Sequence, residues 1–584
     1  MIVDVALPRP WWHPLTYEVD DAVVGGRVRV PLNRGVAVGY VLSLEGAQVP
    51  RLRRGESLDR QPVLSPSVMS ALARCSEQGL CSFGSLADSF LPPALKRGDL
   101  WPFADEEPLS GGQNRYVPLL GEEERLQLAL EALEECQGTA LVLVPEAVTY
   151  QRWAKALKEK FSHRLIACPS WTGKGAYERA LQLTQREDAI ALCGPLGALA
   201  PLRRPQLLVI EGEGQGGYMP VSGPSVSGAW LARERFESFG GAILSMSMAP
   251  DAWQMQRFSP RQTQRPPKNI TFLHMTSLQK EELKGFEFSL PLAKPLVEHT
   301  AQTLAKGHVA LWVLDRKAYA GLSRCLGCGE VMTCPQCDGF LGRKGTQAFC
   351  PKCGWQGPMP QQCPHCHSSI IQHRSPGLEA VRPLVADWFG KDRVHLWYAK
   401  APATVKERKL ILDELASRGG LVLGSRRALE LLSLVPIDLV GWLDGDSEAR
   451  RPDYAASWQA FSMTLESMTR GPWPRQVYLQ TRRPRKNWQQ GLIQGWAKFW
   501  QSEMVDRQAL EFPPFRVHAY LQWPQGKEEE LTQKLIEQGI EVQEVAEGLL
   551  LWAESVEVLH DLLAPRMNVS QSSKKYPRLT LRRP

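Results

Sequence analysis

Along the first fifty residues the apolar positions come in short β-branched runs broken by Gly and Pro. Ile2–Ala6, Arg27–Val30 and Val36–Leu44 predict a β-rich front domain. From Ser65 to Lys96 the spacing turns helical, and Leu91-Pro-Pro stops it. Residues 98–115 are polar with Gly and Pro, and read as a linker. Then the rhythm changes: short buried-type strands alternate with helical stretches at Ala140–Val144, Arg164–Cys168, Ala189–Cys193, Gln206–Ile210, Ala242–Met246 and Asn269–Leu273. A second series follows at Val309–Leu314, Arg393–Trp397, Gly420–Leu423, Leu439–Trp442 and Gln476–Gln480. Strands spaced this way predict parallel sheets covered by helices. From about Trp488 a long amphipathic helix leads to Phe512-Pro-Pro, and a small α+β segment closes the chain. The expected fold is α/β and multidomain: a β-rich domain at 1–100, a first α/β unit at 115–290, a second at 291–320 and 375–485 with an insert at 321–374, and an α+β domain at 486–584.

Composition narrows the class. The chain has 584 residues, a formal charge of +7 and no apolar run near the roughly 18 residues a membrane span needs. Residues 1–10 lack the charged start and apolar core of a signal peptide, and five cysteines (Cys75, Cys81, Cys136, Cys168, Cys193) are scattered, so a reducing cytoplasm is expected. Basic residues cluster at Arg51/Arg53/Arg54, Arg203/Arg204, Arg426/Arg427, Arg450/Arg451, Arg482/Arg483/Arg485/Lys486 and in a tail with Lys574, Lys575, Arg578, Arg582 and Arg583. Each alone reads as a solvated face. Together, with Trp and Tyr near several, they favour phosphate contacts.

The strongest local signal is in the insert. Cys325/Cys328, Cys334/Cys337, Cys350/Cys353 and Cys363/Cys366 are four CxxC pairs, and two such knuckles close one tetrahedral thiolate shell. Four knuckles predict two closed zinc sites, structural because no coordination position is left for water. Disulfides would need an export route that the sequence does not offer.

Two parallel units behind a basic front domain resemble a nucleic-acid motor of two RecA-like lobes, which would need a P-loop. No G-x-x-x-x-G-K-[ST] is present: Gly173-Lys174, Gly390-Lys391 and Gly526-Lys527 lack both the earlier glycine and the following hydroxyl. Gly212-Glu-Gly214-Gln-Gly-Gly217 fits G-x-G-x-x-G, but Tyr218-Met-Pro220 follows where a helix would have to open, so a loop is expected.

These residues resemble the PriA family (primosomal protein N′), bacterial replication-restart helicases. Val5-Ala-Leu-Pro8, Arg27-Val-Arg-Val-Pro31 and Val38-Gly-Tyr-Val41 look like its 3′-DNA-end-binding domain, and Leu91-Pro-Pro-Ala-Leu95 like the end of that region. Leu141-Val-Leu-Val-Pro-Glu146 is similar to the strand after the family's P-loop helix. The cysteine spacing, Pro452-Asp-Tyr454, Gln480-Thr481, Glu503 with Arg507, and Pro513-Pro514 continue the resemblance. Its departures fall on one machinery. The P-loop is missing, the family's DEEH reads Glu211-Gly-Glu-Gly214, the aromatic loop keeps only Tyr218, and the arginine-finger stretch reads Thr469-Arg470-Gly471-Pro472-Trp473. Phosphoryl transfer runs on positioning and electrostatics, so joint loss implies a degenerate member without helicase motifs, similar to the actinobacterial branch.

The resemblance implies nested zinc sites, Cys325, Cys328, Cys363 and Cys366 holding one ion and Cys334, Cys337, Cys350 and Cys353 the other. Spacing agrees, and sequential pairing stays open. His365 and His367 read as surface residues, and Arg324, Arg343, Lys344 and Lys352 as surface or contacts. Thr16 stands where the family carries a pocket aspartate, so 3′-end reading is altered. Tyr17 either stacks on a base or packs in the core. Thr16, Tyr17, Arg34, Arg53 and Arg54 are the expected DNA contacts. The expected function is a non-motor replication-restart protein that binds forked or single-stranded DNA, meets primosome proteins and the replicative helicase loader, and uses two zinc ions, with ATP binding open. A second reading is an active ATP-dependent 3′–5′ helicase whose metal would be held by Asp444/Asp446 or Glu211/Glu213. A third is a zinc-ribbon scaffold with no DNA role.

Overall fold

The β-branched runs at the front close on themselves. Strands β1 (Ile2–Ala6), β2 (Leu15–Val19), β3 (Arg27–Pro31), β4 (Val36–Ser43) and β5 (Arg54–Ser57) form a closed barrel in the order β1-β2-β5-β3-β4. Alternation puts Val3, Val5, Tyr17, Val19, Val28, Val30 and Val41 inside it. Helices α1 (Pro66–Gln78), α2 (Phe83–Phe90) and α3 (Pro93–Arg97) follow. Gly84 lets α2 meet the barrel, since a Cβ there would lie 1.5 Å from the Leu7 carbonyl oxygen. This is a computed structural model, and it describes all residues except 48–50, 104, 105, 107, 172–174, 215, 221, 222, 285–291, 315–319, 337–339, 345, 351–354, 452, 523–527, 546, 547, 568–575, 583 and 584.

The first parallel sheet contains β6 (Asn114–Pro118), β7 (Thr139–Leu143), β8 (Leu165–Cys168), β9 (Ile190–Cys193), β10 (Pro205–Glu211) and β11 (Ala242–Ser247), in the order β6-β11-β10-β7-β9-β8. Between them run α4 (Glu122–Glu135), α5 (Ala147–Phe161), α6 (Gly175–Gln185) and α7 (Gly228–Phe239), with α8 (Ala252–Phe258) after β11. One apolar cluster joins this sheet to the front helices: Leu72 and Phe90 share it with Leu141, Leu143 and Phe236. Arg235 of α7, fully buried, ties the same junction by bonding Glu106 (2.6 Å), Ser67 Oγ (3.1 Å) and the Ala200 carbonyl (2.6 Å).

Contacts divide the chain into two units, residues 1–261 with 500–584, and residues 262–499. The second unit begins with β12 (Ile270–His274), a hairpin of β13 (Leu283–Lys284) and β14 (Leu292–Ala293), α9 (Lys294–Ala305) and β15 (Val309–Val313). The cysteine insert supplies β16 (Ala320–Cys325), β17 (Gly342–Lys344), β18 (Gln347–Phe349), β19 (Gln356–Pro358) and β20 (Ile371–Pro376), a five-stranded antiparallel sheet. The unit resumes with α10 (Leu378–Phe389), β21 (Val394–Trp397), α11 (Val405–Arg418), β22 (Gly420–Gly424), β23 (Leu439–Trp442), α12 (Ala456–Thr469), β24 (Gln476–Thr481) and α13 (Asn487–Gln494). Its parallel sheet has the order β12-β24-β23-β15-β22-β21. Helix α14 (Trp496–Ala509) crosses the boundary at residue 500. The chain then folds as β25 (Val517–Gln522), α15 (Glu528–Glu537), β26 (Glu541–Val545), β27 (Gly548–Ala553), α16 (Val556–Leu563) and β28 (Arg578–Arg582), with strand order β26-β27-β25-β28. The fold is α/β and multidomain, a closed barrel followed along the chain by two six-stranded parallel sheets. Among the described residues no helix is long and apolar enough to cross a membrane.

Three expectations change. The strand near 269–273, grouped with the first α/β unit at 115–290, pairs with β24 in the second sheet, because a parallel edge strand finds its partner some two hundred residues away. The polar stretch 98–115 is not a free linker: its end is strand β6, and the amides of Leu109 and Gly112 bond to Phe239 and Gly240. The long helix from Trp488 breaks at Gly495, whose φ of +110° a side-chain-bearing residue rarely adopts.

Candidate functional site

By chain order α4 stands in the place of a P-loop helix, since the strand after it, β7, opens the Leu141-Val-Leu-Val-Pro-Glu146 stretch. The connection from β6 is only Leu119-Leu120-Gly121, and α4 opens with Glu122, Glu123 and Glu124. A phosphate loop needs free amides and a positive end. Here the first turn carries three carboxylates, two of them held by Arg152 (Glu122 at 2.7 Å, and Glu123). Arg125, one residue on, turns inward. Its Nε donates to both oxygens of Glu211 (2.9 and 3.1 Å) and its Nη1 to the carbonyls of Leu119 and Leu120 (2.6 and 3.0 Å). Glu211 ends β10, where the family's metal-binding acid would stand. Burial pushes its carboxyl upward, and Arg125 opposes that shift.

The other acids that could hold a metal are also engaged. Glu213 receives Nη2 of buried Arg233 at 2.5 Å. Asp444 is paired with Arg450 at 2.7 Å, and Asp446, 2% exposed, accepts from Thr481 Oγ1 and the Arg482 amide at 2.8 Å each. Tyr218 is no aromatic-loop ring: it is 2% exposed and donates its hydroxyl to the carbonyls of Leu143 (2.8 Å) and Glu211 (2.5 Å). Arg470 is held by Ser433 Oγ (3.0 Å) and Glu466 (2.5 Å). Among the described residues after Gly217 no helix opens until Gly228, as expected for a loop.

In the insert the first and last cysteine pairs meet. Cys325, Cys328, Cys363 and Cys366 place all four sulfurs within 4.8 Å of one another, with Cys325–Cys366 at 3.5 Å and Cys328–Cys363 at 3.7 Å. A tetrahedral shell with Zn–S of about 2.3 Å has edges of about 3.8 Å, so the donors fit zinc. Sequential pairing is thereby overturned for these four. Each knuckle is built by backbone: the amides of Cys325 and Cys363 bond to carbonyls five residues on (Glu330, Ser368, both 2.8 Å), and the Gly327 amide reaches Cys325 Sγ at 3.3 Å. The inner knuckles repeat these features, with Cys350 bonding to Trp355 at 2.8 Å and the Gln336 amide reaching Cys334 Sγ at 3.4 Å. Cys334 and Cys350 pack with Met332, Leu341 and Ala348; Cys337 and Cys353 lie outside the described residues. His365 and His367 are exposed.

On the barrel, Thr16 Oγ1 donates to Asp4 Oδ1 at 2.8 Å. Arg53 donates to Asn33 Oδ1 at 2.8 Å, next to exposed Arg34 in the β3–β4 turn. Arg54 turns to Glu18 at 3.1 Å. Tyr17 is 4% exposed inside the barrel, so the core reading replaces base stacking: an enclosed ring has no free face. Arg125 was missed by sequence reasoning, because an arginine in a glutamate-rich turn reads as solvated.

Residues 4–92 match the PriA family's 3′ DNA-binding domain (3′BD). The chain is similar to the replication restart protein PriA of Bacillus subtilis, 23% identical over 67% of this chain and 51% of that protein. It is likewise similar to that of Thermotoga maritima, 25% identical over 65% and 52%, and that of Treponema pallidum, 23% identical over 88% and 85%. The chain spans about half the length of the first two relatives. With this domain matched at its front and likeness along most of its length, the chain is similar to the replication restart protein PriA.

Proposed function

We propose that this chain binds stalled or branched replication forks and helps reload the replication machinery without hydrolysing ATP. The observation that carries the reading is the buried Arg125–Glu211 pair beside a three-residue β6–α4 turn. It occupies the place of the phosphate cradle and neutralises the acid that would hold Mg²⁺. The barrel meets DNA through Thr16, Arg34 and Arg53, with Arg54 at its margin. Two zinc ions brace the insert: one in the outer four thiolates, the second in Cys334, Cys337, Cys350 and Cys353. That insert offers a surface to primosome proteins and the helicase loader, in the cytoplasm.

ATP hydrolysis by the zinc-loaded chain, with and without a forked DNA bearing a 3′ end, tests the reading. Fork binding without turnover is expected. Turnover that rises with DNA would replace it with an active 3′–5′ helicase, and absence of fork binding would leave only a zinc scaffold.

A further inference from the structure

The turn after β24 carries four cations in five residues, Arg482, Arg483, Arg485 and Lys486. Buried polar groups fix its backbone and leave its charges alone. Asp446 accepts from Thr481 Oγ1 and the Arg482 amide. Gln489, 2% exposed, donates from Nε2 to Thr481 Oγ1 and the Arg483 carbonyl at 3.0 Å each, and Gln490 donates to the Arg485 carbonyl at 3.2 Å. Arg485 sits at φ +64°, a left-handed conformation that disfavours residues with a Cβ. All four cationic side chains are exposed.

Their neighbours are neutralised: Arg450 by Asp444 at 2.7 Å, and Arg451 by Glu448 at 2.9 Å. Among the described residues Arg482, Arg483, Arg485 and Lys486 make no ion pair. Four uncompensated charges on a fixed backbone repel one another, and a ligand with repeated negative charge relieves that repulsion. Guanidinium groups suit phosphate oxygens, which they bind bidentately.

We propose that the 482–486 turn is a sequence-independent contact for the phosphate backbone of nucleic acid. It rests on the fork-binding reading and adds a contact outside the 4–92 domain. Its test is fluorescence anisotropy of the full zinc-loaded chain on a 3′-tailed fork, in a salt series. The variant R482A/R483A/R485A/K486A is compared with K155A/K158A/K406A/K409A, which removes equal charge from exposed helical positions. Each phosphate contact contributes about 0.7–0.9 to the slope of log affinity against log salt, so removing all four should lower the slope by roughly 3 to 4 and the affinity by about tenfold or more. The control should change affinity less than about threefold. Equal behaviour of the two variants, with wild-type binding intact, reduces the turn to a solvated face and leaves fork binding standing. A wild-type chain that binds no fork removes both readings. Because the four side chains are exposed and make no ion pair among the described residues, thermal midpoints should match.

Discussion

Arg125 and Glu211 face each other at the carboxyl end of the first parallel sheet, their side chains only 4% and 5% exposed. Removing one partner of such a pair leaves a buried charge without compensation. Arg125→Ala should therefore destabilise the first unit by about 3–5 kcal/mol, whereas Arg125→Met with Glu211→Leu should come close to wild type. Urea unfolding of both variants decides it. A single variant as stable as wild type would show that the pair is not what closes this site.

The capping acid nearby makes a pH prediction. Asp251 caps α8 by accepting from the Gln254 amide at 2.8 Å, and burial, reinforced by Glu213, pushes its carboxyl up to about 7. The unfolded carboxyl titrates near 3.9, so between about pH 4 and pH 7 the folded chain holds a proton that the unfolded chain has lost. Stability from this group is thus full below about pH 4, falls as pH rises to about 7, and is then level; the total is of order 4 kcal/mol. Asp251→Asn keeps the cap and the neutral state. Its advantage over wild type should be small at pH 4.5 and largest at pH 8, measured as urea midpoints. A difference that does not vary with pH would sink the assignment.

Much of this was legible in the chain, for identifiable reasons. Three of the five barrel strands (β1, β3 and β4) and the CxxC knuckles announce themselves locally, in β-branched runs and in fixed spacing, whereas β2 and the short, polar β5 do not. What stayed hidden depends on distant partners. Nothing around Ile270 says that it pairs with Val477. Asn114–Pro118 reads as polar linker because only Tyr116 is deeply buried in that edge strand. Arg125 among glutamates looks like surface until β10 brings Glu211 beside it. Tyr17 carries both readings in sequence, and only closure of the barrel decides between them.

Zinc stoichiometry separates the two proposed metal sites. Cys363→Ser should lower bound zinc from two ions per chain to one by breaking the outer shell, and Cys350→Ser should do the same through the inner shell. Structural zinc contributes on the order of 10 kcal/mol to a small domain, so each variant should open the insert to protease. Elemental analysis that finds a single ion in wild type would remove the inner site.

Thr16 invites a repair that should fail. The resemblance to PriA implies an acid at this position, so Thr16→Asp looks like a restoration of 3′-end reading. Here, however, Thr16 Oγ1 donates to Asp4 Oδ1 at 2.8 Å, and an aspartate would set two carboxylates in contact. One of them must then take up a proton or the two must move apart, at about 1–2 kcal/mol near neutral pH. Because that penalty needs both charges, it should vanish as pH falls below about 4. Asp4→Asn in the same chain should remove it at pH 7, since the amide can donate to the new carboxylate. Thr16→Asp alone should therefore lower the thermal midpoint without tightening binding to a 3′ end, and the double variant should recover the midpoint. A stable single variant that binds 3′ ends more tightly would mean that Asp4 does not set the chemistry of this pocket.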